Sequence, residues 1–302
     1  ESILDDDIIR NKKIRFVVDP KLQLTPFEAL IDTSGNFLIE TKEISYTYSL
    51  TVHSILQTRK YSAQKDNALV FANPKHNKPK QSSNLEGLLE DVLLNKGINK
   101  YNISDIHRGF GYGNWENLPA AEKEAININE LIEADIFMNY LATEDKLIEL
   151  NQAGKLKDYN IIHFATHALS IPELPDASAI ILTNKISDGY LTPKEISKLE
   201  LNADFVNLSA CQTAIGKQYS SEGIIGFAQS FIQAGANGVI TSLWNVSDES
   251  TAIFMTSFYS HYSKNKNVSK SLAITKREFI NGNYGAEYKK PFYWAPYIYY
   301  GI

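Results

Sequence analysis

The chain of 302 residues is 43% hydrophobic and 22% charged, a balance typical of a globular protein with one or two domains. Its net charge of −5 excludes a basic surface for nucleic acid, so we expect no direct nucleic-acid contact. The single cysteine excludes an intrachain disulfide and favours a reducing compartment, which we take to be the cytoplasm.

The longest uncharged run, Gly223–Trp244, is long enough to raise the question of a membrane span. Polar side chains interrupt it, as does the Gly-Ala-Asn-Gly at Gly235–Gly238, so it predicts a buried helix followed by a strand and no membrane span. Because the chain begins with glutamate, we expect a fragment whose missing N terminus could carry a targeting signal.

The N-terminal part has mostly extended patterns. The predicted elements are a strand at Ile14–Val18, a loop and short helix at Leu22–Leu30, an extended segment from Phe37 to Leu50, and a fully apolar strand at Ala68–Ala72. We therefore divide the chain into a strand-rich part, residues 1–67, and a core, residues 68–302. The polar or Gly-rich segments Lys75–Ser83 and His107–Leu118 are predicted loops.

From Ala68 onward, strand and helix patterns alternate. Predicted helices are Pro119–Glu130, a helix capped by Thr143 and stopped by Gly154, a short helix with a capping box at Thr192–Glu195, Glu222–Ala234, Ser247–Tyr262 and Val268–Asn281. Predicted strands are Ile136–Leu141, Tyr159–Ala168, Ala179–Thr183, Phe205–Leu208, Val239–Leu243 and a final extended segment, Phe292–Tyr300. This alternation predicts an α/β fold with a mainly parallel sheet covered on both faces.

Two of these strands end in chemically reactive side chains. Tyr159–Ala168 has His167 near its end, and Asp204–Thr213 carries Cys211 among small and polar residues. Parallel sheets bind ligands beyond the carboxyl ends of their strands, so we expect both side chains at that edge. An imidazole beside a thiol is the pair that a cysteine hydrolase requires.

Several motifs in order extend this pattern over nearly the whole chain. They are L-T-P-F-E-A-L at Leu24–Leu30, L-P-A-A-E-K-E at Leu118–Glu124, H-F-A-T-H at His163–His167, D-G-Y-L-T-P-K-E-I at Asp188–Ile196, L-S-A-C-Q-T at Leu208–Thr213, S-E-G at Ser221–Gly223 and S-L-W-N-V at Ser242–Val246. Together they resemble the CHAT domain, a caspase-like cysteine peptidase domain often found behind tetratricopeptide repeats. The resemblance implies a caspase/separase-like α/β/α sandwich with an N-terminal strand-rich subdomain.

The resemblance further implies a cysteine endopeptidase in which His167 and Cys211 form the catalytic dyad. It implies an oxyanion hole made by the backbone N–H groups of Cys211 and Ala168, where the family usually has glycine. Expected partners are a protein substrate and a regulatory partner, or a repeat region outside this chain, with no cofactor. Candidate cleft residues are Asp176, Glu222, Trp244 and Asp248, for which local capping, hydrogen bonding or burial remain the alternative interpretations.

Other interpretations stay open at this stage. His163 and His167 could suggest a zinc site. However, their motif contains no glutamate and no further cysteine is near, so no metal is predicted. We interpret His163 as a core histidine hydrogen-bonded to backbone, and the other four histidines as surface or loop residues. Cys211 could also be a buried small hydrophobe. The alternative classes are a silent peptidase-like scaffold and a small-substrate thiol hydrolase, which the missing G-x-C-x-G elbow disfavours.

Overall fold

The computed structural model describes residues 13–19, 22, 25–59, 66–76, 105–106, 115–171, 174–209, 211–212 and 221–302. The strands in this part are β1 (Lys13–Val17), β2 (Glu43–Thr47), β3 (Asn67–Ala72), β4 (Glu133–Met138), β5 (Ile161–Ala165), β6 (His167–Leu169), β7 (Ala179–Ile181), β8 (Tyr190–Leu191), β9 (Phe205–Leu208), β10 (Cys211–Gln212), β11 (Val239–Ser242) and β12 (Tyr297–Tyr300). The α-helices are α1 (Leu38–Thr41), α2 (Leu50–Thr58), α3 (Pro119–Leu131), α4 (Glu144–Gln152), α5 (Pro193–Ile196), α6 (Ser221–Ala234), α7 (Asp248–Asn265), α8 (Val268–Asn281) and α9 (Pro291–Trp294).

Eight strands form one central sheet in the order β1-β2-β12-β11-β9-β5-β3-β4. Neighbouring strands are parallel except for the antiparallel pair β11 and β12. The chain passes from β3 outward to β4 and then returns to place β5 on the other side of β3. This reversal makes the carboxyl ends of β3 and β5 the switch point at which open parallel sheets form a crevice.

Helices cover both faces of this sheet, as β5 shows. Successive side chains of a strand point to opposite faces. His163 contacts Tyr259 of α7, whereas the next residue, Phe164, contacts Phe231 of α6. Helices α6 and α7 therefore lie on opposite faces, and α7 packs against α3 and α8 on its own side. The predicted mainly parallel, two-sided α/β architecture is confirmed.

The local signals that predicted several elements are present. Thr143 Oγ1 accepts the Lys146 N–H to cap α4, and Gly154 ends that region with φ +69°. Thr192 and Glu195 form the predicted capping box around α5. The Gly223–Trp244 run forms most of α6 and the strand β11, as predicted. Within the described residues, no helix combines the length and the hydropathy needed to cross a bilayer.

Some predicted elements were wrong. Phe37–Ile39 was expected to be extended, but Leu38–Thr41 is a helical turn because Glu40 accepts the Phe37 N–H at 2.6 Å. Ser49 then caps α2 and ends the alternating segment. At the other end of the chain, Phe292–Tyr300 is not one extended segment, since α9 precedes β12.

The two predicted loops lie largely outside the described residues, since only 75–76 of the first and 115–118 of the second are described. Strands β1 and β2 join the central sheet through β12, while the domain division at residue 67 stays a prediction.

Candidate active site

A second, four-stranded sheet in the order β10-β6-β7-β8 extends the carboxyl ends of two central strands. The chain bends at Thr166 between β5 and β6, where the Thr166 hydroxyl donates to the carbonyl of Ile181. Strand β10 follows β9 along the chain. Strands β6 and β10 pair in parallel with His167 opposite Cys211. Because paired strands lie about 4.8 Å apart, the backbone brings these two residues side by side.

The His167 imidazole is buried, with 4% of the residue exposed. Its Nε2 lies 2.7 Å from the carbonyl oxygen of Glu116. A carbonyl can only accept, so Nε2 carries the proton, and Nδ1 of the neutral ring is unprotonated. Nδ1 has no hydrogen-bond partner among the described residues. The ring therefore has one nitrogen fixed by backbone and the other available to take a proton.

Burial lowers the pKa of His167, and the hydrogen bond to the Glu116 carbonyl opposes that shift only in part. The ring is therefore neutral near pH 7 before any reaction. His76 follows the carboxyl end of β3, and burial together with the nearby His167 lowers its pKa to about 4. Both histidines thus present neutral rings at the switch point of the sheet.

Three aromatic rings surround this edge, and we call them the aromatic wall: His76, Trp115 and Tyr190. The Trp115 ring centroid lies 5.5 Å from that of His167 and 6.4 Å from those of His76 and Tyr190. The Trp115 indole N–H donates to the Tyr190 hydroxyl at 3.4 Å. Sequence reasoning missed this wall: His76 lies in a loop, as expected, but it is partly buried there. Only the motif containing Tyr190 gave any signal.

His163 lies in the core, as predicted, but its partners are side chains and not backbone. Its Nδ1 is 2.9 Å from the Tyr259 hydroxyl, and its Nε2 is 2.8 Å from Glu124 Oε1. The second contact has ion-pair distance without the angle of a directed hydrogen bond. The β5 backbone is already used by the sheet, so the ring reaches into α3 and α7. Among the described residues, no three His, Cys, Asp or Glu side chains converge in a metal-binding arrangement.

Two of the candidate cleft residues make contacts that hold the fold together. The half-buried Trp244 donates its indole N–H to the Phe292 carbonyl at 2.9 Å. Asp248 accepts the Ala120 N–H at 2.8 Å, and burial raises its pKa. A contact of either residue with substrate therefore stays a prediction.

The other candidates are placed as follows. Asp176 is exposed in the 3-10 turn Pro175–Ala177, and Glu222 is the second residue of α6. Ala168 lies in β6 without the positive φ that would require glycine, so its alanine side chain is compatible with the backbone there.

The central sheet has helices on both faces, and a histidine and a cysteine lie on adjacent strand extensions. This architecture is a caspase-like α/β fold. A chain of the crystal structure of the Saccharomyces cerevisiae separase–securin complex is similar, with a TM-score of 0.52 and 17% sequence identity. The match covers 95% of this chain and 15% of that chain. At this identity, the likeness shows the shared fold alone.

The CHAT domain family matches residues 2–302, and the chain belongs to that family. Tetratricopeptide repeat protein 28 of Mus musculus is 22% identical over 305 residues, covering 87% of this chain and 11% of the mouse protein. The Homo sapiens protein of the same name is 23% identical over 293 residues, covering 83% of this chain and 10% of its own length. The chain thus spans about a tenth of the length of these relatives.

Proposed function

We propose that the chain is a cysteine endopeptidase domain that hydrolyses peptide bonds in protein substrates through Cys211 and His167. The observation that carries this proposal is the parallel pairing of β6 and β10 with His167 opposite Cys211. It is supported by the fixed Nε2 and the unpartnered Nδ1 of His167 within the described residues. A buried polar atom without a partner is costly unless a ligand or a reacting group satisfies it.

In the proposed reaction, His167 Nδ1 takes the proton of the Cys211 thiol as sulfur attacks the carbonyl carbon of the peptide bond. The imidazolium is stabilised because its Nε2–H still donates to the Glu116 carbonyl. Backbone N–H groups of Cys211 and Ala168 would hold the oxyanion, and losing one such donor costs about 3–4 kcal/mol of the barrier. His167 then protonates the leaving amine, and water hydrolyses the thioester and regenerates the thiol.

We further propose that sequence or partners outside this chain gate the activity. The relatives are tetratricopeptide repeat proteins about ten times as long as the matched region, which supports a repeat region as the regulatory element. The single cysteine supports a cytoplasmic location, and the acidic net charge supports protein rather than nucleic acid as the substrate.

Alkylation by iodoacetamide tests the dyad, because Cys211 is the only thiol in the chain. The second-order rate constant is measured from about pH 5 to 9 in the wild type, in His167→Ala and in His261→Ala. His261 is a matched control because it pairs with Glu278 between α7 and α8. We expect His167→Ala to slow alkylation at pH 7 at least about tenfold, since an unassisted thiol with a pKa near 8.5 is mostly protonated there. His261→Ala should match the wild type.

If the alkylation rate has the same pH dependence in wild type and His167→Ala, with a thiol pKa near 8.5 in both, the result would contradict the dyad. It would favour a silent, partner-binding scaffold. If the dyad holds, cleavage of a protein substrate should disappear in Cys211→Ala while the fold is retained. Cleavage that survives in Cys211→Ala would assign the activity to other residues.

A further inference from the structure

Asn73 lies at the point where β3 ends, beside the end of β5. It is fully buried, and its φ of +46° is in the left-handed region that asparagine tolerates better than most residues. Its backbone N–H donates to the carbonyl of Ala165 at 3.0 Å. Ala165 is the last residue of β5, two positions before His167. The backbone of Asn73 therefore anchors the strand end from which the imidazole projects.

The side chain of Asn73 reaches in the other direction, to the segment before α3. Its Oδ1 accepts the Leu118 N–H at 2.8 Å. Its Nδ2 lies 3.0 Å from Asn117 Oδ1 and 2.5 Å from Glu122 Oε1, with a longer contact of 3.4 Å to Asn139 Oδ1. The Asn73 amide thus holds the residues before α3 and its first turn, because its oxygen accepts one hydrogen bond and its NH₂ group donates others.

The start of α3 depends on such outside partners because Leu118, at its N-cap position, has no side-chain hydrogen bond to give. Asn73 accepts one N–H at this end, and Asp248 accepts that of Ala120. The Glu116 carbonyl that receives His167 Nε2–H is two residues before Leu118. Asn73 therefore bonds to Ala165 and to Leu118. Each of these lies two residues from one partner of the hydrogen bond between His167 and Glu116.

We infer that Asn73 is a positioning residue that holds the Glu116 carbonyl against His167 and thereby keeps Nε2 protonated and Nδ1 unprotonated. The catalytic meaning of this tautomer rests on the proposed function, whereas the tautomer itself can be observed without any activity. Aspartate at position 73 would keep the acceptor but lose both donors and would place a carboxylate against Glu122. Glycine would tolerate the positive φ and lose every side-chain bond.

The test uses imidazole ¹⁵N NMR of the full 302-residue chain labelled with ¹⁵N-histidine, because protonated and unprotonated ring nitrogens have well-separated shifts. The His167 signals are those missing in His167→Gln. The variants are Asn73→Gly and, as a matched control, Asn160→Gly. Asn160 is also a buried asparagine, and it precedes β5 at the opposite end of the sheet. Thermal unfolding of each variant is recorded in parallel.

We expect the wild type and Asn160→Gly to show Nε2 protonated and Nδ1 unprotonated, and Asn73→Gly to show averaged signals from both tautomers. Alkylation of Cys211 at pH 7 should fall about fivefold in Asn73→Gly, the effect of about one net hydrogen bond. Wild-type His167 signals in folded Asn73→Gly would overturn the inference, even if its melting temperature falls, because Asn73 would then be only structural.

A second pair of variants keeps the test decisive should Asn73→Gly not fold. Asn73→Asp places a carboxylate against Glu122, and Asn73→Asp combined with Glu122→Gln exchanges donor and acceptor and restores a hydrogen bond between these two positions. We expect averaged His167 signals in the single variant and wild-type signals in the double variant. Wild-type His167 signals in the folded single variant would overturn the inference.

Failure of the proposed function gives a different result. If Cys211 is not a nucleophile, alkylation is insensitive to His167→Ala, yet the His167 tautomer still depends on Asn73. If alkylation depends on His167 but the His167 tautomer is unchanged in Asn73→Gly, only the positioning role of Asn73 is contradicted.

Discussion

His163 and His167 are four residues apart and almost equally buried, at 0% and 4% exposure, yet their surroundings differ. His163 lies inside the central sheet, and each of its nitrogens faces a polar side chain, Tyr259 or Glu124. His167 lies just past the sheet edge, with one nitrogen on the Glu116 carbonyl and the other without a hydrogen-bond partner in the described part of the chain.

The difference teaches that burial alone does not separate a structural from a reactive histidine. Buried polar atoms are normally paired, because leaving one unpaired costs roughly 1–3 kcal/mol. Around His163, the Tyr259 hydroxyl lies within hydrogen-bond distance of one nitrogen, and Glu124 lies at ion-pair distance from the other. The edge around His167 leaves one atom open, which is the arrangement that a proton-transfer group needs. The predictions below test this contrast.

The largest effect is expected when the core pair is broken. His163→Ala would leave the buried Glu124 side chain without its ion-pair contact and would remove one of the two partners of the Tyr259 hydroxyl, so we expect the free energy of unfolding to fall by about 3–5 kcal/mol. His167→Ala should cost less, because only the Glu116 carbonyl, whose residue is exposed, loses a partner. Urea unfolding of the two variants measures both values. Equal losses would remove the contrast.

The double variant His163→Leu with Glu124→Leu serves as the control for that result. It removes both polar partners together, and such replacements are far less costly than leaving one partner buried alone. It should therefore be more stable than His163→Leu.

His76, at the edge of the sheet, should contribute to the pH dependence of stability. His76 has a folded pKa of about 4, lowered from 6.5, so the unfolded chain binds the proton first as pH falls. The contribution of His76 to the free energy of unfolding is therefore fully present above about pH 6.5. As pH falls from there to about 4, up to about 3 kcal/mol of it is lost. In His76→Phe, unfolding free energy measured at both pH values should decline less over this window. An unchanged decline would show that His76 does not titrate in this way.

The smallest effect is expected at Asp248. Asp248→Ala removes the acceptor of the Ala120 N–H, and losing a helix cap costs about 1 kcal/mol. Asp176→Ala, at an exposed position, should leave urea unfolding unchanged. If Asp248→Ala alters the preference among peptide substrates without lowering stability, Asp248 contacts substrate and its contact with α3 matters little.

Much of the fold was predictable because its signals are local. The bounds of α8 were predicted as the structure has them, and the caps of α4 and α5 were visible as Thr143 and Thr192. The predictions failed where a side chain changed the local outcome, as Glu40 does at Phe37. They also failed in the last aromatic segment, where the helix α9 precedes the strand β12.

The candidate site divides in the same way. The sequence placed His167 and Cys211 near strand ends, whereas the bend at Thr166 emerged only from the structure. It contained no signal for Asn73, His76, Trp115 or Glu116 as neighbours of His167, since these come from segments 51 to 94 residues away along the chain.

By itself, the sequence determined the alternation of strands and helices, and it contained the motifs around His167 and Cys211 in their order along the chain. Hydrophobic periodicity, caps and turns act over a few residues, so one sequence suffices to read them. Only the tertiary structure decided which histidine nitrogen is fixed and which is open. That depends on where the carbonyl of Glu116 meets the ring, and the sheet and the amide of Asn73 set that position across distant parts of the chain.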